Sequence, residues 1–170
     1  YSEVIPLPRY RIQHSLQAFG PAPMLMTQFP PRSRRRETTR EFFGYNLLHD
    51  GLAHPLFGCV TGEASAIMKT WREFAGRDNV AHHPYWENGG LLTVAPDTVK
   101  VSFYRQTDAL LFVVVNTDAQ SMITAALALA AGSRELGDRP MGAATDAFTG
   151  APVAVDGRTW QVDHPRGPRG

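Results

Sequence analysis

The 170-residue chain is 43% hydrophobic and 19% charged, with 17 Lys and Arg against 16 Asp and Glu and a formal net charge of +1. That balance excludes disordered and fibrous classes and the global positive field of a dedicated nucleic-acid binder, so no nucleic-acid partner is expected. The longest apolar run, Ala109 to Val115, is far below the roughly 20 residues that cross a bilayer, and the single cysteine, Cys59, cannot form an internal disulfide, so neither a membrane partner nor a covalent staple is expected.

Residues 1–90 mix proline-rich loops with one helical stretch, whereas 91–170 alternate short apolar runs with turn residues, which places a boundary near Gly89-Gly90. In chain order, Met24 to Phe29 reads as a strand. Arg32, Arg34, Arg35, Arg36 and Arg40, relieved by Glu37 and Glu41, form the only charge cluster. Such a cluster can hold an anionic substituent, or it can be a solvated loop, as the nearby proline and serine suggest. Phe42 to Leu48, closed by the His49-Asp50-Gly51 turn signal, reads as a buried strand. Ser65 to Ala75 puts Ala66, Ile67, Thr70, Trp71 and Phe74 on one helical face, with Ser65 as N-cap and Gly76 as stop.

Beyond the boundary, Val99 to Gln106 alternates Val99, Val101 and Phe103 against Lys100, Ser102 and Tyr104. A Thr107-Asp108 turn leads into Ala109 to Asn116, which predicts a hairpin. Met122 to Leu129 can continue as a third strand, although its alanines leave helix as a rival. Ala143 to Phe148, Pro152 to Val155 and Arg158 to Val162 follow, separated by Thr149-Gly150 and Asp156-Gly157 turns. Short strands at this spacing predict an antiparallel sandwich of about 80 residues. No internal repeat or nucleotide fingerprint is present, and no cofactor is expected.

The segment His82-His-Pro-Tyr-Trp-Glu-Asn88 gathers imidazoles, aromatics, a carboxylate and an amide. Tyr85 and Trp86 suit the apolar face of a sugar ring while Glu87 takes its hydroxyls; equally, the two rings can plug an interface between the halves. His82, His83 and Glu87 lack a third ligand at diagnostic spacing, so no metal is expected. His49 and Asp50, with His54 close behind, follow the strand read at Phe42 to Leu48, and a carboxylate at a strand end is where an α/β barrel places working groups. A turn aspartate bonding its own backbone is the simpler alternative. Glycosidases need two carboxylates roughly 5 to 10 Å apart. Asp50, Glu63 and Glu87 are the candidates, but no motif marks any of them as catalytic. Cys59 lacks an activating motif and reads as an inert thiol.

The order of segments resembles the carboxyl-terminal portion of glycoside hydrolases of family 123, the class that contains β-N-acetylgalactosaminidases. The residues that carry the resemblance are Tyr45-Asn-Leu-Leu-His-Asp50, Trp71-Arg-Glu-Phe74, His83-Pro-Tyr-Trp86, Val99-Lys-Val-Ser-Phe-Tyr-Arg105, Leu111-Phe-Val-Val-Val-Asn116 and Ala144-Thr-Asp-Ala-Phe-Thr-Gly150. The resemblance spans about residues 40 to 163. It implies a mixed α and β chain in which a partial α/β barrel remnant (1–90) is followed by an antiparallel β-sandwich (91–170). The acidic pair of such enzymes, with a substrate acetamido group as nucleophile, is implied to lie earlier on the barrel and maps to no residue of this chain. A barrel takes about 250 residues, so the chain by itself is expected to be inactive. Tyr1 at the start and Pro165-Arg-Gly-Pro-Arg-Gly170 at the end suit an excised piece of a longer polypeptide.

The expected partners are therefore a carbohydrate substrate and the remainder of the catalytic barrel, with His49, Asp50, Tyr85, Trp86 and Glu87 as the residues that touch sugar. The rival expectations are an independent, non-catalytic carbohydrate- or protein-binding sandwich, and a complete small hydrolase using Asp50 and Glu87.

Overall fold

The computed structural model of the chain describes residues 7–14, 24–30, 32, 34–76, 79–118, 122–130 and 142–164. Tyr1 and the run from Pro165 to Gly170 lie outside them. The described residues form a mixed α and β architecture. A short helix α1 (Leu7–His14) precedes strand β1 (Met24–Gln28), helix α2 (Arg36–Leu48), strand β2 (Leu52–Phe57) and helix α3 (Thr61–Ala75). β1 and β2 are parallel, with Met24 beside Leu52 and Met26 beside His54, so α2 is the crossover of a βαβ unit.

The strand expected at Phe42 to Leu48 is instead the second half of α2. Its buried positions are Thr38, Thr39, Phe42, Phe43, Tyr45, Asn46 and Leu48, a helical spacing that includes three polar side chains. Two of them face the core because they bond back one turn. Thr39 Oγ1 donates to the Arg35 carbonyl at 3.0 Å, and Asn46 Nδ2 to the Phe42 carbonyl at 2.7 Å. Gly44 lets the helix approach closely: a Cβ there would fall 3.0 Å from Val115 Cγ2.

α3 starts at Thr61, one turn before the expected cap Ser65, which is exposed within the helix. The N-cap residue is Val60, which has no side-chain cap of its own. Its N–H is taken by Thr39 Oγ1 at 2.9 Å, so a neighbouring helix supplies an acceptor there. The end at Gly76 is as expected, and Ala64 and Ile67 are the residues that α3 buries fully.

The rest of the chain is antiparallel. β3 (Ala81–His83), β4 (Leu92–Ala95), β5 (Val99–Arg105), β6 (Leu110–Asn116) and β7 (Ile123–Leu129) are followed by the short strands β8 (Ala144–Thr145), β9 (Pro152–Val153) and β10 (Val155–Asp156), then by β11 (Thr159–His164). β5 and β6 make the expected hairpin, with Phe103 opposite Phe112, and β3 joins β5 on its other edge. The antiparallel part thus reaches back to Ala81. Met122 to Leu129 does give a strand, but β7 lies in the second sheet, between β4 and β11, and not beside β6. Of the two readings that its alanines leave open, the segment takes the strand. The choice of partner came from burial: Ala125 and Leu127 are buried in one core with Trp160, which stands opposite Leu127 on the neighbouring strand.

β5 explains the layering. Val99, Val101 and Phe103 join Leu92, Ala125, Leu127, Leu129 and Trp160 in one core between the two antiparallel sheets. On its opposite face Tyr104 joins Leu7, Tyr10, Tyr45, Leu48, Val113 and Val115 in a second core shared with the helices. A third core, Phe29, Phe42, Phe43, Ala64 and Ile67, lies between α2, α3 and the end of β1. No described helix is long and apolar enough to cross a membrane.

Candidate functional site

The five residues singled out from sequence meet where α2 ends against β5. The last turn closes through His49 N–H to the Asn46 carbonyl at 3.0 Å and Gly51 N–H to the same oxygen at 2.8 Å, with Asp50 in the left-handed region at φ 54. His49 is buried, and its Nδ1 lies 2.7 Å from the Tyr45 carbonyl, which fixes the ring proton on that nitrogen. Around the imidazole stand Tyr10 at 4.9 Å, Trp86 at 5.4 Å and Tyr85 at 5.6 Å between ring centroids. Tyr85 and Trp86 meet edge to face at 4.9 Å, and the Arg11 guanidinium lies 4.4 Å from the Trp86 ring centre.

Several polar groups of this cluster bond one another or the nearby main chain. Trp86 Nε1 donates to Glu87 Oε1 at 2.8 Å, and Tyr104 Oη donates to Asp50 Oδ1 at 3.0 Å. Ser102 ties three segments together: its hydroxyl donates to the Leu48 carbonyl at 2.7 Å and accepts from Tyr85 N–H at 2.9 Å. Asn88 Nδ2 holds the following turn on the Val101 carbonyl at 2.6 Å. Asp50 therefore bonds a tyrosine across the interface and does not cap its own turn. The third acidic candidate, Glu63, receives Arg40 in a close ion pair and Arg36 at 3.9 Å.

One expectation is corrected outright. Because Phe42 to Leu48 is helix, His49 and Asp50 do not follow a strand; they precede β2 and mark its amino-terminal end. In α/β proteins the working end is the carboxyl end of the strands, and the opposite end serves stability. His82 and His83 sit on opposite faces of β3, one ring 4.9 Å from Tyr104 and the other stacked at 4.5 Å on Phe103. Among the described residues no group of three His, Cys, Asp or Glu side chains is placed to hold a metal. A shallow cavity of about 150 Å³ opens beside Tyr85 over Leu92 and Val94, rimmed by Asp97 and Lys100. It is about half the smallest usual ligand pocket of roughly 300 Å³.

Tyr10, Arg11, Ser102 and Tyr104 belong to the cluster, yet sequence reasoning did not select them. Tyr104 and Ser102 carried a signal in the alternation of β5, which put them on the face opposite Val101 and Phe103. Tyr10 and Arg11 carried none.

Burial dominates the electrostatics. It holds the Tyr10, Tyr45, Tyr85 and Tyr104 phenols above the ordinary 10.0, reinforced at Tyr104 by the Asp50 carboxylate and opposed at Tyr85 by Arg11. It pushes the His82 imidazole below 6.5, with His83 adding to the effect and Asp50, the Leu47 carbonyl and Glu87 opposing it. Raised phenols give stability that is complete below the unfolded value of 10.0 and is lost above it; a lowered imidazole gives stability that is complete above 6.5 and declines as pH falls below it. Urea midpoints measured against pH are therefore expected to form a plateau that falls on both sides, with phenolate absorbance rising together with unfolding. Free titration of these four tyrosines in the folded chain near pH 10 would contradict the burial described.

Taken together, the chain is a mixed α/β protein in which a parallel βαβ unit docks through its αβ turn onto an antiparallel sheet. Comparison with family models, curated proteins and solved structures finds no match.

Proposed function

We propose that the chain is the carboxyl-terminal part of a carbohydrate-active glycoside hydrolase resembling family 123. In this reading β1–α2–β2–α3 ends a (β/α) barrel, and the two antiparallel sheets form a β-sandwich that buttresses it. The observation that carries the reading is the parallel pair. Among the described residues β1 and β2 pair only with each other, and purely parallel sheets are normally larger and covered on both faces. Their outer edges suit further barrel strands. The catalytic carboxylates then lie on those strands, and the His49 cluster is the joint between barrel and sandwich. His49, Tyr85 and Trp86 pack together within this joint while Asp50 and Glu87 bond Tyr104 and Trp86, so the cluster holds the two parts together at the end opposite the one that takes sugar. The shared core of Tyr45 and Leu48 with Tyr104, Val113 and Val115 favours this reading over a free-standing binding module.

The test is the protein expressed from its complete reading frame and assayed on aryl β-N-acetylgalactosaminides, beside the 170-residue chain. Hydrolysis by the former and none by the latter is expected; no hydrolysis by either sinks the reading. Within the complete protein, Trp86→Ala should lower stability by about 2 kcal/mol, because a half-buried ring in contact with His49, Tyr85 and Arg11 is lost. A variant that melts like the parent but loses substrate affinity would move Trp86 from the joint to the sugar site.

A further inference from the structure

Resting on that reading, we propose that the glycan bound at the carboxyl end of the strands carries an anionic group, a sulfate or a carboxylate, held by Arg32, Arg34 and Arg35. Because β1 and β2 are parallel, with Gln28 beside Phe57, the turns that leave them lie together at one end. A Cβ at Gly58 would fall 2.7 Å from Phe29 N, Thr39 Oγ1 takes Val60 N–H at 2.9 Å, and Glu63 in the first turn of α3 pairs with Arg36 and Arg40 of α2. This is the opposite end from His49 and the end at which α/β folds hold ligands.

The charge at that end is unbalanced. Residues 32–41 carry five arginines and two glutamates, and two further carboxylates stand at this end, Glu63 against Arg36 and Arg40 and Asp146 beside Arg40. Glu63 answers Arg36 and Arg40. Arg32, Arg34 and Arg35 are exposed, and among the described residues no carboxylate pairs with them. The first turn of α2 carries Glu37 beside Arg36, and Glu63 pairs with Arg36, so Arg32, Arg34 and Arg35 are the guanidinium groups left to meet an anion. The planar fork of arginine matches sulfate and carboxylate oxygens two at a time, which fits a charged sugar substituent better than a neutral hydroxyl.

The experiment uses the complete protein with three probes: a neutral aryl N-acetylhexosaminide glycan, its sulfated counterpart, and one whose neighbouring sugar is a uronic acid. Turnover and calorimetric binding are both read. The parent is expected to prefer one anionic probe, and which one distinguishes sulfate from carboxylate. The double variant Arg34→Gln, Arg35→Gln should reduce the ratio of anionic to neutral affinity by about tenfold, the loss of a charge-assisted hydrogen bond. Arg34→Lys with Arg35→Lys keeps the charge without the fork and should fall between, which covers the case of a glutamine variant that folds poorly. No preference for either anionic probe, or an unchanged ratio in both variants, overturns the inference and leaves a solvated loop. Turnover of the neutral probe without such a preference overturns the inference alone. Arginine-dependent binding without any turnover supports the anion site and overturns the hydrolase reading.

Discussion

Replacing Leu48 with alanine is expected to lower the unfolding free energy by about 4 kcal/mol while keeping a single transition. Leu48 is the last residue of α2 and has no exposed surface. Its side chain belongs to the core in which Tyr10 and Tyr45 from the helices meet Tyr104, Val113 and Val115 from the sheet. Removing it leaves a cavity whose walls cannot readily collapse, because the Leu48 carbonyl is tied to Ser102 and Gly44 already touches Val115. The loss therefore falls in the upper part of the range for a buried leucine. Urea unfolding followed by fluorescence and by far-ultraviolet circular dichroism checks both halves of the claim. Trp71 and Trp86 report on the joint, and Trp160 on the core between the sheets. If the Trp160 signal keeps its midpoint while the other signals shift, the two cores unfold independently and the joint does not couple them.

The second large effect is expected at Gly58. Its φ is +115, and a Cβ there would stand 2.7 Å from Phe29 N and 2.8 Å from Phe29 O. Backbone atoms at the end of β1 cannot swing aside as a flexible side chain could. Gly58→Ala combines an unfavourable backbone conformation with overpacking, a cost of about 3 kcal/mol. It also separates the two turns that carry the proposed anion site. Gly62→Ala is the matched control: it lies in the first turn of α3 with nothing within 4 Å, and alanine should stabilise it by up to about 1 kcal/mol. Thermal unfolding of the pair checks the contrast. Equal melting temperatures for Gly58→Ala and the parent would show that the turn has a different backbone course.

Amino-acid pattern alone determined the hairpin of β5 and β6, the strands β1 and β11, and the helical character and end of α3; for β7 it left strand and helix open. In the hairpin and β11 the apolar residues repeat at the period of two on the face that packs, so the local signal and the packed structure agree; in α3 the fully buried residues are Ala64 and Ile67, and Ala66 of the expected face is exposed. It also marked the Tyr85-Trp86-Glu87 segment by composition. Tertiary structure alone decided α2. There Thr39 and Asn46 face the core with their hydrogen bonds returned to carbonyls one turn back, and an apolar count from Phe42 to Leu48 is blind to positions that are buried but polar. That single difference reversed which end of the strands His49 and Asp50 occupy, and moved them from the working end to the joint. Tyr10, Arg11 and Tyr104 entered the cluster through contacts between distant segments, and β7 found its neighbours through the core it shares with Trp160. Periodicity records which face of an element is buried; which other element covers that face depends on chain-wide packing, and no local window contains it.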